Sequence, residues 1–475
     1  MQALPALVAG KPLSADNQVE VTNPSTGQLL AVTVDCGPEQ VAAAVESAAE
    51  AQVGWRALPV AERARVLRRI AQLVERDQEE LGRLESEQTG KPLTQGRRDA
   101  ELTARYFDFY ASAVETFYGT TIPLNDSSFV FTGYEPHGVT GHIVPWNYPL
   151  QILARSVAPS LAMGNCCVAK PAEEAPLTVL KLAHLALEAG LPAGAFNVVP
   201  GLGETAGAAL TAHPGVGHIS FTGSVEVGRI ISHAAAERLI PVTMELGGKS
   251  PNVVFDDADL DRAVPVIVNS ILQNAGQTCS AGARLLVHSD IHDDLVARIA
   301  ERFTRATVGP AMDDPTVGPL ISEQQRAKVL HYADLAREQA TIVCGGQALR
   351  GGAYGEGFFV QPTLVTGVDP QGRLAQDEIF GPFLVVSTFT TEDEAVALAN
   401  GTDYGLVAGV WTGDVGRAHR MIRRIIAGQV FVNSYGASGG VELPFGGFKQ
   451  SGYGREKGAE GLRGFAQVKT GVIGL

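Results

Sequence analysis

The pattern of apolar and polar positions changes character twice along the chain. Residues 38–118 read as helical: 39–51 are alanine-rich, and 59–87 place Val66, Leu67, Ile70, Leu73, Val74 and Leu81 at helical spacing. Gly90-Lys91-Pro92 breaks that pattern. Residues 119–137 alternate as strands do and end in the turn Glu135-Pro136-His137-Gly138. From Val139 short apolar runs alternate with helical segments. The pattern predicts strands over 139–144, 166–169, 196–199 and 218–221, and helices over 148–162 and 176–189. A second such block has strands over 285–288, 341–344, 384–389 and 407–411, and helices over 293–305 and 392–399. This alternation predicts an α/β fold of two domains, each with a parallel sheet flanked by helices. No fixed-period repeat or low-complexity tract interrupts it.

Composition adds boundaries. The chain has 475 residues, 45% of them hydrophobic and 19% charged, which suffices for two domains with sizeable cores. Its net charge of −14 speaks against nucleic acid as a partner, because phosphate contacts need clustered Lys and Arg. It also speaks against an anionic membrane surface. The five cysteines are few, odd in number and irregularly spaced, so no disulfide framework is expected and a reducing cytoplasm is. No C-x-x-C occurs and no metal site is expected. Residues 1–12 lack the basic-then-apolar order of a signal peptide, and no apolar run reaches the roughly 20 residues of a spanning helix.

The chemistry gathers in two segments. Gln273-Asn274-Ala275-Gly276-Gln277-Thr278-Cys279-Ser280-Ala281-Gly282 follows the apolar run 264–272, and Met244-Glu245-Leu246-Gly247-Gly248-Lys249 lies upstream. Together they offer a thiol nucleophile and a carboxylate base. Cys36, Cys166, Cys167 and Cys344 read as ordinary buried thiols. Gly201-x-Gly203 and Phe221-Thr222-Gly223-Ser224-x-x-x-Gly228 each follow a predicted strand, where glycines let backbone approach a phosphate and Ser224 can bond to one. The strict G-x-G-x-x-G pattern is absent, since position 206 is Ala. Gly248-Lys249-Ser250 is not a P-loop ending, because the glycine that motif needs is replaced by Thr243.

The pair E-L-G-G-K and G-Q-x-C, in this order and 34 residues apart (279 − 245), resembles the aldehyde dehydrogenase superfamily. Pro145-Trp146-Asn147-Tyr148-Pro149, Lys170-Pro171-Ala172-Glu173, Asp377 to Pro382 and Pro444 to Gly452 extend the resemblance over nearly the whole chain. The resemblance implies NAD-dependent oxidation of an aldehyde to the acid. Cys279 would be the nucleophile and Glu245 the base. Asn147, with the Cys279 backbone N–H, would form the oxyanion hole, and Glu456 would stand in a proton path to solvent. Trp146, Lys170, Glu173, Gly203, Gly223, Ser224, Glu378 and Phe380 would hold the cofactor. Glu173 favours NAD, with NADP still possible, because its carboxylate can accept from ribose hydroxyls and would repel a 2′-phosphate.

Plainer readings stand beside these. Asn147 could be a helix cap, Glu173 a surface cap, Phe380 a core aromatic and Arg155 half of an ion pair. On the substrate side the resemblance points to Tyr148, Ile152 and Arg155 as pocket residues. Two departures matter. Ser156 stands where many members have lysine, which puts a lysine-assisted proton relay in doubt. Gln273 stands where a second arginine would complete a carboxylate clamp. The loop 433–442 is rich in small residues, which predicts a roomy mouth.

The resemblance also implies two Rossmann-like domains and a small β oligomerisation element. The ranges are 1–118 with 138–246 for the cofactor, 247–458 for catalysis, and 119–137 with 459–475 for assembly into a homodimer or homotetramer. Two alternatives carry different outcomes. One is an acylating relative that uses coenzyme A, against which Glu245 argues. The other is a binding or structural protein that has kept only the fold.

Overall fold

Two largely parallel sheets organise the chain in a computed structural model that describes residues 2–436 and 440–475. In the first, β1 (Val139–Val144), β2 (Cys166–Pro171), β3 (Phe196–Val198), β4 (His218–Thr222) and β5 (Val242–Glu245) lie in the order β3-β2-β1-β4-β5, all parallel. All residues of β2 and β4 are buried, the expected state of parallel strands covered on both faces by helices. Helix α1 (Pro149–Ala162) follows β1 and α2 (Val225–Arg238) follows β4. Pro149 opens α1 because the first turn has no use for its missing N–H. Chain order reverses between β1 and β4, which leaves a crevice at their carboxyl ends.

The second sheet contains β6 (Pro251–Val254), β7 (Arg284–His288), β8 (Thr341–Cys344), β9 (Thr363–Thr366), β10 (Phe383–Phe389), β11 (Val407–Trp411) and β12 (Gln429–Val432). Their order is β8-β9-β10-β7-β6-β11-β12, parallel except for β8 against β9. Helix α3 (Leu260–Leu272) links β6 to β7 through the cysteine segment. Separate apolar cores pack on the two sheets.

The N-terminal helical region consists of Pro38–Ala57, Val60–Arg76, Gln78–Thr89 and Leu93–Ala113. The long periodic run thus divides at Asp77, and its second half stops at Gly90, which adopts φ +80°. Thr121–Asn125, Ser128–Pro136 and Ala466–Gly474 form a separate antiparallel sheet, with Pro136 opposite Ala466 and Ser128 opposite Gly474.

Three features differ from expectation. The hairpin Gln18–Asn23 with Gln28–Val34 carries no strong alternation in sequence, and neither do Ala6–Val8 and Lys11–Leu13, which extend the first sheet beyond β3. The range 247–458 is not all second-domain: Gly452–Tyr453 pairs antiparallel with β5 and so returns to the first sheet. This requires glycine, since a Cβ on Gly452 (φ +114°) would lie 1.9 Å from the Met244 carbonyl oxygen. After Gly203 the chain opens as one wide π-helical turn, Gly203–Gly207, and becomes α-helical only over Ala208–Ala212.

Candidate active site

Five chain segments meet at the carboxyl ends of β1, β4 and β5. The turn after β1 supplies Trp146 and Asn147. Asn147 does not cap α1, where Tyr148 holds the cap position without a side-chain bond. Instead its Nδ2 donates to the Gln277 carbonyl at 2.9 Å, and its own carbonyl accepts from Asn274 Nδ2 at 3.0 Å. The cysteine segment is therefore tied directly to the β1 turn. It reaches that point by leaving α3 through three consecutive positive-φ residues, Asn274 (+49°), Ala275 (+52°) and Gly276 (+74°). Such conformations persist only where the surroundings enforce them, and they gather at functional sites. Gln277 locks the turn: its Nε2 donates to Asn274 O at 3.1 Å and its Oε1 accepts from Ile321 N at 2.9 Å.

Glu245 ends β5 and is 1% exposed, and neither of its carboxylate oxygens accepts a hydrogen bond among the described residues. After β4, Ser224 is the cap of α2, where its Oγ accepts from Val227 N at 3.3 Å. From the second domain, Glu378 Oε1 accepts from Gly248 N at 2.9 Å. A Cβ on Gly247 would sit 2.3 Å from Glu378 Oε2, so any side chain there would push the carboxylate out of this cradle. Phe380, at φ +61°, meets Trp146 edge to face with centroids 5.4 Å apart. It is a cleft-wall residue, not a core aromatic.

One cleft of ≈ 200 Å³ brings these groups together: Trp146, Asn147, Gly223, Ser224 and Glu245 on one side, and Cys279, Glu378 and Phe380 on the other. Gln325 and Lys328 also line it. Sequence reasoning missed both, because they are ordinary polar residues on the helix Glu323–Gln339 with no motif around them. Gln325 Nε2 donates to the Phe380 carbonyl at 2.7 Å and holds that unusual backbone in place.

Other expected residues lie outside this cleft. Near the carboxyl end of β2, Lys170 Nζ pairs with Glu173 Oε2 at 2.9 Å, and Gly203 opens the turn after β3. All three thus stand at the carboxyl edge of the same sheet. Tyr148 and Ile152 are buried, and the Tyr148 hydroxyl is 2.8 Å from Thr278 Oγ1, next to Cys279. Arg155, expected to line the substrate pocket, is buried in an ion pair with Glu456, whose other oxygen accepts from Ser220 Oγ at 3.0 Å. Burial rewards this pairing, since either charge alone in the sheet–helix interior would be strongly unfavourable. Ser156 Oγ lies 2.9 Å from His142 Nδ1 and donates back to the Leu153 carbonyl at 3.2 Å. The mouth loop falls partly outside the described residues, at 437–439.

The electrostatics are those of a poised site. Burial raises the Glu245 carboxyl to about 8, and the neighbouring Glu456 raises it further while Arg155, Arg455 and Lys457 oppose. Burial likewise pushes the Cys279 thiol up to about 11; Arg155 lowers it, and Glu245 and Glu378 raise it. Burial also holds the Lys328 ammonium below its usual range. Perturbed groups converging on one cleft mark a site of chemistry.

The aldehyde dehydrogenase family matches residues 13–471. Similar crystal structures include a candidate aldehyde dehydrogenase from Burkholderia cenocepacia, 51% identical with a TM-score of 0.97 and 99% of each chain covered. An aldehyde dehydrogenase from Bacillus cereus, solved with NAD⁺, is 37% identical with a TM-score of 0.97, covering 100% of this chain and 97% of that one. An NAD-dependent aldehyde dehydrogenase from Sinorhizobium meliloti is 38% identical with a TM-score of 0.97, covering 100% and 95%. With this match across its length and a cysteine, an asparagine and a glutamate meeting in one cleft, the chain belongs to the aldehyde dehydrogenase family.

Proposed function

We propose that Cys279, Asn147 and Glu245 carry the NAD-dependent aldehyde oxidation of this family member and that the product is released as the free acid. The observation that carries the reading is the shared cleft, in which the thiol, an amide donor fastened to the cysteine turn and an unbonded carboxylate face one space. The Cys279 thiolate adds to the aldehyde carbon. Asn147 Nδ2 and the Cys279 N–H donate to the oxyanion that forms, a contribution of about 3 kcal/mol for one such donor. When bound, NAD supplies the acceptor for the hydride that the tetrahedral adduct loses on its way to the thioester. Glu245 then takes a proton from water as it attacks the thioester carbonyl, and the Cys279 sulfur leaves. A carboxylate with a raised pKa suits this task near neutrality. The intact base also argues against transfer to coenzyme A, and the assembled triad against a retired relative.

Gly223 and Ser224 would face the pyrophosphate of NAD, Glu378 its nicotinamide ribose, and Trp146 and Phe380 the walls around the ring. Lys170, Glu173 and Gly203 would take the adenosine half. The Gly247 cradle fits this: a backbone without Cβ lies against an inward carboxylate oxygen. Glu456 and Arg155 act as a fixed charge pair behind Glu245, and Tyr148 and Ile152 shape the inner substrate wall. The three-stranded sheet exposes Leu124, Val468, Val472 and Ile473, an apolar surface suited to a homo-oligomer interface. No helix of the described residues is long and apolar enough to cross a membrane. The five free thiols suit a reducing cytoplasm.

Absorbance of the reduced nicotinamide, with NAD or NADP over aliphatic, aromatic and ω-carboxy aldehydes, tests the reading. Signal with NAD that disappears in Cys279→Ala supports it; equal turnover by that variant overturns it.

A further inference from the structure

Beyond Cys279, away from the nucleotide cleft, lies a second charged feature. Phe445 packs with Leu406 and Val407 in an apolar cluster that Cys279, Phe431 and Tyr435 border. Two cations flank the Phe445 ring: Arg155, with its guanidinium carbon 5.1 Å from the centroid, and Lys457, with its ammonium at 5.3 Å. Lys457 Nζ also sits 5.9 Å from the Tyr106 ring. The two cations differ in one respect. Arg155 is paired with Glu456, whereas Lys457 has no hydrogen bond and no ion pair among the described residues. The nearby Glu442 is already paired with Arg105.

The backbone holds Lys457 in this place. Glu456 exchanges both backbone bonds with Phe445, at 2.7 and 2.8 Å, and Gly458 N donates to Val441 O at 2.8 Å. Lys457 itself adopts φ +62°, a conformation a long side chain rarely takes unless its surroundings enforce it. The lysine is thus pinned against the segment that ends the mouth loop, on the apolar side of the nucleophile. Burial lowers its ammonium to about 8, Arg155 lowers it further, and Cys279, Glu456 and Glu245 oppose. An ammonium between two aromatic rings, with no hydrogen-bonded or ion-paired partner among the described residues, keeps its donors free to receive an anion.

We propose that Lys457 sets substrate specificity by receiving a carboxylate at the far end of the aldehyde, so that this enzyme favours aldehydes bearing an anionic group. The inference rests on the reading that Cys279 attacks the aldehyde. It names a single lysine as the receiver; Gln273 leaves the two-arginine clamp incomplete and Arg155 is committed elsewhere.

Two matched pairs test it: 4-carboxybenzaldehyde against 4-methylbenzaldehyde, and succinic semialdehyde against butanal. In the native enzyme one pair or both should show kcat/KM higher for the carboxylate by about tenfold to a hundredfold, the range of a charge-assisted contact. Lys457→Met should collapse that ratio through KM, and Lys457→Arg should restore most of it. On the native protein alone, the ratio should fall as pH rises through about 8, where the ammonium is lost. Taking a ratio cancels the titrations of Cys279 and Glu245, which both aldehydes share. A native preference for the neutral partner in both pairs, or a ratio unmoved by Lys457→Met and by pH, overturns the proposal. Absence of nicotinamide reduction with all four aldehydes would instead sink the Cys279 reading beneath it.

Discussion

Two buried clusters of charge lie within this enzyme, and they are built on opposite plans. Behind Tyr148, Lys91 contacts Asp99 and reaches Glu85 at 3.4 Å. Gln88 donates to Glu85 at 3.1 Å and to Thr178 at 2.6 Å, Thr178 donates to Glu85 at 2.7 Å, and Gln151 donates to Asp99 at 3.0 Å. The Lys91 ammonium then rests 4.1 Å from the Tyr148 ring centroid. Every charge there is answered. Around Cys279 the plan is reversed: both Glu245 oxygens and Lys249 Nζ lack hydrogen-bond partners among the described residues. A satisfied buried network stiffens a scaffold, whereas unanswered groups keep their capacity for substrate and protons. The contrast sets residues that shape this site apart from those proposed to act in it.

Substitutions should break that contrast in graded fashion. Cys279→Ala should lower kcat by about 10⁴-fold or more, with melting temperature and NAD binding retained. Glu245→Gln should lower steady-state turnover by about 10²–10⁴-fold while still giving a rapid burst of reduced nicotinamide, since only thioester hydrolysis loses its base. The satisfied cluster should respond in stability instead: Lys91→Met leaves Glu85 and Asp99 buried without a cation, at a cost of about 3–5 kcal/mol in denaturant unfolding. Asn147→Ala should lower kcat by about 10²-fold with little change in the KM for NAD.

The smallest effect is a pH shift. Glu245 must be ionised to take a proton from water, so the hydrolytic rate rises with pH through a limb near 8. Glu456 raises that value and Arg155 lowers it. Glu456→Gln removes the first influence and frees the second, so the limb should move to lower pH. A limb that moves upward in the rate profile would show that the pair does not act on Glu245 in this way.

Much of this was legible along the chain, and the reason is local. Glycine and proline punctuate backbone geometry within a few residues, so the turns at Gly90, Pro145 to Pro149 and Gly223-Ser224 declared themselves. Parallel strands buried on both faces read as short apolar runs, which located β1, β2, β4 and β11 within a residue or two. The cysteine and glutamate motifs were likewise visible. Edge strands such as Lys11–Leu13 and Gly452–Tyr453 were not, because pairing and not side-chain pattern makes them strands.

By itself, then, the sequence determined the main helices and buried strands, the two-sheet class and the groups proposed to react, since these follow from backbone preference, burial pattern and side-chain chemistry. The tertiary structure alone decided three further matters. Asn147 bonds to the cysteine turn instead of capping a helix, Arg155 pairs with Glu456, and Gln325 and Lys328 enter the cleft from a distant helix. Each depends on which groups far apart in the chain are brought within bonding distance in a water-poor interior. There an unpaired charge is costly enough to dictate its neighbour, and no local pattern encodes that pairing.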